Sequence, residues 1–186
     1  MARCLLSVHR GHTSGHPRSR HVEAMAETLA VLHGSLATLT NVSLPPVAAL
    51  DATTQGAPGE GQLIHGDYAA ANLIATTSGL KVVDFDECGQ GSIEFEIGNT
   101  LYMVLFDAWH SGELDRYDRF RSWFLDAYQR AASVDVEDAL LNEAIKVRAR
   151  ALRQWLATPT EAPIGIRTSS PEWRRQLQPF VAEVLS

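Results

Sequence analysis

The fold of this chain is decided by two neighbouring stretches of sequence, LIHGDYAAAN at residues 63–72 and VVDFDE at residues 82–87. Each begins with a short apolar run of the kind that forms a buried strand. Each then places a carboxylate or an amide where the run ends, at Asp67, Asn72 and Asp84. A turn at residues 76–79 separates two further short strands, so we predict a hairpin that holds the ends of both stretches side by side.

These side chains match what phosphoryl transfer asks of a protein: an oriented hydroxyl, bridging metal ions and neutralised charge. Asp67 follows a strand and a glycine, so its carboxylate is expected to project from a tight loop and accept a proton from a hydroxyl group. Asn72 and Asp84 offer a neutral and an anionic oxygen, which suit Mg²⁺. A single aspartate at a strand end is usually a turn residue, but this combination of residue types and spacing is far more specific.

The rest of the chain is predicted to be mainly helical. A helix beginning at Ser19 has one apolar stripe, made of Val22, Met25, Leu29, Leu32, Leu36 and Leu39. Further helices are predicted over residues 94–110 and 114–128, after a cap at Asp135, and from Pro171, with residues 159–170 as a loop. The expected class is α+β, a mainly helical lobe with a short β-hairpin at the catalytic loop.

Composition limits the kind of partner. The 186 residues suit one domain or one lobe, and the hydrophobic content of 45% suits an ordinary core. A net charge of −6 argues against nucleic-acid binding and favours a cationic partner or one that arrives with Mg²⁺. Cys4 and Cys88 form no CxxC pair, and no signal peptide or membrane-spanning run is evident, so the cytoplasm is the expected location.

The two stretches resemble the catalytic and metal-binding segments of the aminoglycoside phosphotransferase family, which includes choline-kinase-like and homoserine-kinase-like enzymes and has a protein-kinase-like fold. The resemblance rests on residues 65–72 and 83–86. It extends to AETLAVLH at residues 26–33, which is similar to a family helix ending in Leu-His, and to residues 89–98. In the last segment Glu96 stands where the family usually has aspartate.

The resemblance implies a role for each candidate residue. Asp67 is expected to be the catalytic base, and Asn72 and Asp84 are expected to bind Mg²⁺, with His65 and Asp86 in supporting positions. ATP or another nucleoside triphosphate would be the phosphoryl donor. The acceptor would be a hydroxyl of a small molecule, such as a cationic aminoglycoside-like compound or another small metabolite. Backbone groups of the hinge residues, Ser7, Val8 and His9, would contact the nucleotide base.

The same resemblance predicts the domain organisation. Residues 1–11 would be a remnant of the hinge strand, residues 12–186 would form the helical C-terminal lobe, and the N-terminal nucleotide lobe of the family is expected to be absent. Two alternatives to an active kinase therefore stay open. One is a catalytically inactive pseudokinase lobe that binds a ligand or forms a homodimer through its exposed surface. The other is a metal-dependent phosphohydrolase built from the same carboxylates.

Other polar residues carry weaker signals. The histidines near the N-terminus have spacings that fit no tight metal site, and His33, at a helix end, is expected to be a packing or capping residue. Arg148, Arg150 and Arg153 could contact an anionic substrate, but their positions along one helix cannot all face one site.

Overall fold

The computed structural model describes residues 17–49 and 61–186. The predicted hinge, with Ser7, Val8 and His9, lies outside the described residues. In chain order the elements are α1 (Pro17–Ala37), β1 (Gly61–Ile64), β2 (Leu73–Thr76), β3 (Gly79–Val82), β4 (Gly89–Ser92), α2 (Ile93–Ser111), α3 (Leu114–Ala132), α4 (Asp138–Ala157), α5 (Ile164–Thr168) and α6 (Pro171–Val184). The predicted class, a mainly helical α+β lobe with a short hairpin, is confirmed.

Helix α1 packs against α3 through part of the predicted stripe. Val22, Met25 and Leu29 are buried in the core. Leu39 was wrongly placed on this stripe, because α1 ends at Ala37 and the Leu39 side chain is 47% exposed. The Thr38 hydroxyl donates to the Ser35 carbonyl oxygen at 2.7 Å in the turn that follows. A side-chain hydrogen bond of this kind competes with the backbone bonds of a helix, so the helix ends before the apolar spacing in the sequence does.

Four short strands form two antiparallel pairs. The predicted hairpin is β2 with β3, in which Leu73 faces Val82 and Thr76 faces Gly79. The sequence analysis missed β4, which pairs with β1, because the sequence GQGS has little strand propensity. Backbone contacts hold it on its other side: the Gln90 N–H donates to the Pro45 carbonyl oxygen at 2.8 Å.

Helix α2 is the central element and contacts both α3 and α4. It begins at a cap in which the Ser92 hydroxyl accepts from the Phe95 N–H, and it ends at Gly112 in the left-handed conformation (φ 71°), as the predicted break at residues 111–112 requires. Gly98 allows α2 to approach α4, since a Cβ there would lie 2.6 Å from the Ala144 Cβ. None of the helices in the described ranges is both long and apolar enough to cross a membrane.

Two predictions in the C-terminal half were wrong in detail. Asp135 does not cap α4, because the N-cap position belongs to Glu137 and the helix starts at Asp138. Residues 159–170 contain a 3-10 turn at Pro159–Glu161 and the short helix α5 rather than a plain loop. The first residue of a helical turn has no use for its N–H group, so a proline fits there and favours the turn. From composition alone, the same proline indicates a loop.

Candidate active site

The loop between β1 and β2 brings two of the predicted site residues into contact. The Asn72 Nδ2 donates to the Asp67 carboxylate oxygen Oδ2 at 3.0 Å and to the Asp67 main-chain oxygen at 2.9 Å. Asn72 sits at the end of a 3-10 turn, Ala70–Asn72, which curls the chain back toward Asp67. The sequence separation of five residues is therefore closed by one helical turn, and the Asn72 Nδ2 orients the Asp67 carboxylate.

Asp84 is attached to the same loop through its neighbour Val83. The Val83 N–H donates to the Asn72 main-chain oxygen at 3.0 Å, and the Val83 carbonyl oxygen accepts from the His65 Nε2 at 3.0 Å. Asp84 then adopts a positive φ of 66° with its side chain exposed. Non-glycine residues rarely adopt this conformation, although aspartate tolerates it better than most, and such strain concentrates at functional sites.

His65 connects the two stretches at residues 63–72 and 82–87. Because a carbonyl oxygen can only accept, the contact with Val83 assigns the proton to Nε2, and the Nδ1 is left to accept from the Asp67 N–H at 3.3 Å. The ring is buried and lies 4.5 Å from the Phe85 ring, centroid to centroid. The His65 imidazole thus contacts the backbone of both stretches, at Asp67 in the first and at Val83 in the second.

Three buried polar side chains of helix α2 hold the loop between β1 and β2 by hydrogen bonds to its backbone. Glu96 accepts from the His65 N–H at 2.6 Å and from the Gly66 N–H at 2.7 Å. The Asn99 Nδ2 donates to the Gly66 carbonyl oxygen at 3.0 Å, and the Thr100 hydroxyl donates to the Tyr68 carbonyl oxygen at 2.7 Å. Positions three and four apart share one face of a helix, so one helix holds three residues of the loop, His65, Gly66 and Tyr68.

The Glu96 carboxylate is itself anchored by the elements around α2. The His33 Nε2 lies 3.4 Å from the Glu96 Oε2, and the His33 Nδ1 lies 2.7 Å from the Tyr128 hydroxyl oxygen. A carboxylate can only accept, so the His33 Nε2 donates to Glu96, and the Nδ1 on the other side of the ring is hydrogen-bonded to the Tyr128 hydroxyl. His33 is therefore a buried packing residue, as predicted, and it links α1 and α3 to the loop.

Comparison with known proteins agrees with this geometry. The family model described as "Phosphotransferase enzyme family" matches residues 1–134. The chain belongs to this family. A search of curated proteins found no match. Among solved structures, an amicoumacin kinase in complex with AMP-PNP, Ca²⁺ and Ami is similar, with a TM-score of 0.60 and 17% sequence identity, over 90% of this chain and 59% of that one. This chain therefore has a kinase-like fold and spans about three-fifths of that kinase's length.

The electrostatics of this phosphotransferase-family site are dominated by burial of acidic groups. Burial raises the pKa of Asp67, while Arg148, the hydrogen bond from Asn72 and His65 lower it and Asp84 raises it further. Burial likewise raises the pKa of Glu87, with Asp67 as the next cause. A carboxylate that is desolvated in this way is a stronger base than one in water.

The supporting residue Asp86 and its neighbour Glu87 occupy different environments. Asp86 is exposed, whereas Glu87 is half-buried behind the loop. The Glu87 main-chain oxygen lies so close to Gly66 that a Cβ on that glycine would be 2.2 Å away. Gly66 also has a φ of 84°, so only glycine fits between the two stretches.

The spacing of the apolar residues on α4 places Arg148 on the inner face of that helix, but its partner there was not predicted. The Arg148 Nε donates to the Asn99 Oδ1 at 2.8 Å. The guanidinium carbon lies 5.7 Å from the Tyr102 ring centroid and 5.2 Å from that of Trp155. Burial lowers the Arg148 pKa, while Tyr102, Asp67 and Glu87 raise it. The signal in the sequence was a charged residue within the apolar stripe of α4.

The donor set suits a metal ion that brings other ligands with it. Within residues 17–49 and 61–186 there is no cluster of three or more His, Cys, Asp or Glu side chains that could hold a metal alone. Asn72 uses its Nδ2 toward Asp67, so the Oδ1 is the remaining polar atom of that amide, and the Asp84 carboxylate is exposed. Two hard oxygens of this kind fit Mg²⁺, which usually keeps waters and substrate phosphates as its remaining ligands.

Proposed function

We propose that the protein is an ATP- and Mg²⁺-dependent phosphotransferase that phosphorylates a hydroxyl group of a small molecule. The observation that carries the proposal is the connection between Asp67, Asn72 and Asp84. The Asn72 side-chain amide orients the Asp67 carboxylate, and the Asn72 main-chain oxygen accepts from Val83, the residue before Asp84. Because the chain spans 59% of the amicoumacin kinase, the activity of a whole enzyme is part of the proposal.

Asp67 is the proposed catalytic base. Its carboxylate would accept the proton of the acceptor hydroxyl as that oxygen bonds to the γ-phosphorus of ATP, while the bond from the γ-phosphorus to the β–γ bridging oxygen breaks and ADP leaves. The Asn72 amide keeps the carboxylate directed for that step. Burial raises the pKa of Asp67, which strengthens it as a base, and the Arg148 charge opposes that rise.

Asn72 and Asp84 would hold the metal through Oδ1 and the carboxylate respectively. When bound, Mg²⁺ would neutralise charge on the phosphates. The residues themselves contribute a fixed spacing, because the Val83 N–H joins the two ligand-bearing segments directly. The amicoumacin kinase was solved with a nucleotide and a divalent cation together, which supports this combination for the present site.

The acceptor is proposed to be cationic. Asp84, Asp86 and Glu87 follow one another closely in the sequence, and the whole chain has a net charge of −6. Arg148 is buried against aromatic rings, and the Asp84 carboxylate is assigned to the metal, so the exposed Asp86 is the acid that an incoming molecule would meet. An amine-bearing alcohol would be attracted, whereas an anionic sugar would be repelled.

The test is transfer of label from γ-labelled ATP in the presence of Mg²⁺ to a panel of acceptors that contains an aminoglycoside, choline, homoserine and a neutral sugar. We expect a labelled product with at least one amine-bearing acceptor. Asp67→Asn and Asp84→Asn should each abolish it, while Asp86→Asn should retain most of kcat and raise the KM for an amine-bearing acceptor. Label released as free phosphate without an acceptor would favour a phosphohydrolase instead.

A binding lobe without catalysis is the second candidate. Ile74 on β2 and Phe85 beside the site are 50% and 43% exposed, and apolar residues near a cleft favour association with a partner or a second copy. Light scattering that gives a dimer, together with no transfer to any acceptor, would select this candidate. The homodimer and the cytoplasmic location both stay predictions.

A further inference from the structure

Two residues outside the predicted catalytic set, Asn99 and Arg148, form a chain of hydrogen bonds that ends on the loop. The Arg148 Nε donates to the Asn99 Oδ1 at 2.8 Å, and the Asn99 Nδ2 donates to the Gly66 carbonyl oxygen at 3.0 Å. An asparagine amide has an accepting side and a donating side. Arg148 offers only donors, so it selects the orientation in which the amide donates to Gly66.

The peptide group that receives this bond is the one that leads into Asp67. Its oxygen is held by Asn99, and its N–H, which belongs to Asp67, donates to the His65 Nδ1 at 3.3 Å. The preceding peptide is held at the Gly66 N–H by Glu96 at 2.7 Å. The peptide that follows Asp67 is held at the Asp67 carbonyl oxygen by the Asn72 Nδ2 at 2.9 Å. Because the peptide planes on both sides of the Asp67 Cα are held, the direction in which the Asp67 side chain leaves the backbone is fixed as well.

Arg148 suits this task better than another cation would. Its guanidinium carbon lies over the Tyr102 ring and over the Trp155 ring, at 5.7 and 5.2 Å from their centroids, and these two contacts help to hold the fork toward Asn99. Within the described residues its Nη1 is buried without a hydrogen-bond partner. A buried donor without a partner costs stability. The Nε bond to Asn99 is a benefit that offsets this cost if that bond holds the loop.

We propose that Asn99 and Arg148 are positioning residues for Asp67, in which Arg148 fixes the Asn99 amide and Asn99 fixes the Gly66–Asp67 peptide. The consequence for catalysis rests on the proposed function. The consequence for the loop does not, because it concerns backbone hydrogen bonds that exist whether or not phosphate is transferred.

Hydrogen–deuterium exchange of the amides of residues 65–67 tests the proposal on the whole chain. Arg148→Met removes the first bond. Asn99→Asp keeps an acceptor for Arg148 but cannot donate to the Gly66 oxygen. Both should speed exchange at these amides by about tenfold, the factor expected when one buried hydrogen bond is lost. Arg150→Met is the matched control, since Arg150 lies on the same helix and pairs with Glu143 instead.

Two results would overturn the proposal: equal exchange in Arg148→Met and Arg150→Met, or unchanged exchange in Asn99→Asp. If Arg148→Met does not fold, Asn99→Asp alone decides. In the transfer assay both variants should lower kcat by about tenfold or more and leave the KM for ATP within about twofold. A wild-type protein that transfers no phosphate yet shows the expected exchange would refute the proposed function and leave the positioning role standing.

Discussion

Replacing Glu96 by glutamine tests how strongly α2 holds the catalytic loop. Glu96 is fully buried, and its two oxygens accept from the main-chain N–H groups of His65 and Gly66 at 2.6 and 2.7 Å. Glutamine has nearly the same shape, but it has one accepting oxygen and an NH₂ group. Whichever way the new amide turns, one loop N–H will face a donor and lose its partner.

The cost follows from these contacts. A hydrogen bond to a charged group contributes about 1.5–3 kcal/mol, and an unsatisfied buried N–H costs about 1–3 kcal/mol. Glu96→Gln weakens one such bond to a neutral one and leaves the other N–H unsatisfied. We therefore expect the free energy of unfolding to fall by about 3–5 kcal/mol, in line with the removal of one partner from a buried charged network. That is a large part of the stability of an ordinary domain.

The assay is urea unfolding followed by tryptophan fluorescence, with Glu94→Gln as the matched control. Glu94 lies on the first turn of the same helix, and one of its oxygens is buried without a partner among the described residues. Losing its charge should change the free energy of unfolding by no more than about 1 kcal/mol, the value of a carboxylate at a helix N-terminus. Equal losses in the two variants would refute the view that Glu96 holds the loop.

Three further predictions follow from other buried contacts. Gly66→Ala should destabilise the fold by about 1–3 kcal/mol more than Gly79→Ala, since both have positive φ but only the first Cβ meets a backbone atom; equal melting temperatures would contradict the steric reading. Tyr128→Phe should cost about 1–3 kcal/mol in urea unfolding, because the His33 Nδ1 loses its hydrogen-bond partner in the core; an unchanged midpoint would contradict it. Burial raises the pKa of Tyr102 to about 12. The stability that comes from keeping its hydroxyl neutral is therefore complete below about pH 10 and is lost as the pH rises toward 12. A pH titration checks this, and ionisation of Tyr102, seen as tyrosinate absorbance, at a lower pH than the unfolding seen by fluorescence would contradict it.

The catalytic loop and the hairpin could be predicted because their signals are local. Asp67 and Asn72 lie one helical turn apart, and Asp84 follows a strand whose partner is its neighbour in sequence. Residue type and short spacing are enough to bring such groups together. The same holds for α2 and its break at Gly112.

The support for the loop could not be predicted in this way. Glu96 and Asn99 reach the loop from 30 residues away or more, and Arg148 reaches Asn99 from 49 residues away. Nothing in the neighbouring sequence indicates which groups these side chains will meet. The available signal was physical rather than positional: buried polar side chains at positions three and four apart on an apolar helix need partners. Strand β4 was missed because its pairing is imposed by the Pro45–Val47 backbone and β1 rather than by its own residues.

Calorimetric titration of the protein with ATP, with and without Mg²⁺, tests the central claim most directly, because it separates the metal ligands from the base. We expect wild type and Asp67→Asn to bind ATP only when Mg²⁺ is present, and Asp84→Asn to lose that dependence and at least tenfold in affinity. Binding of MgATP by Asp84→Asn with wild-type affinity, or binding by wild type that ignores Mg²⁺, would contradict the assignment of Asn72 and Asp84 as the metal-binding pair.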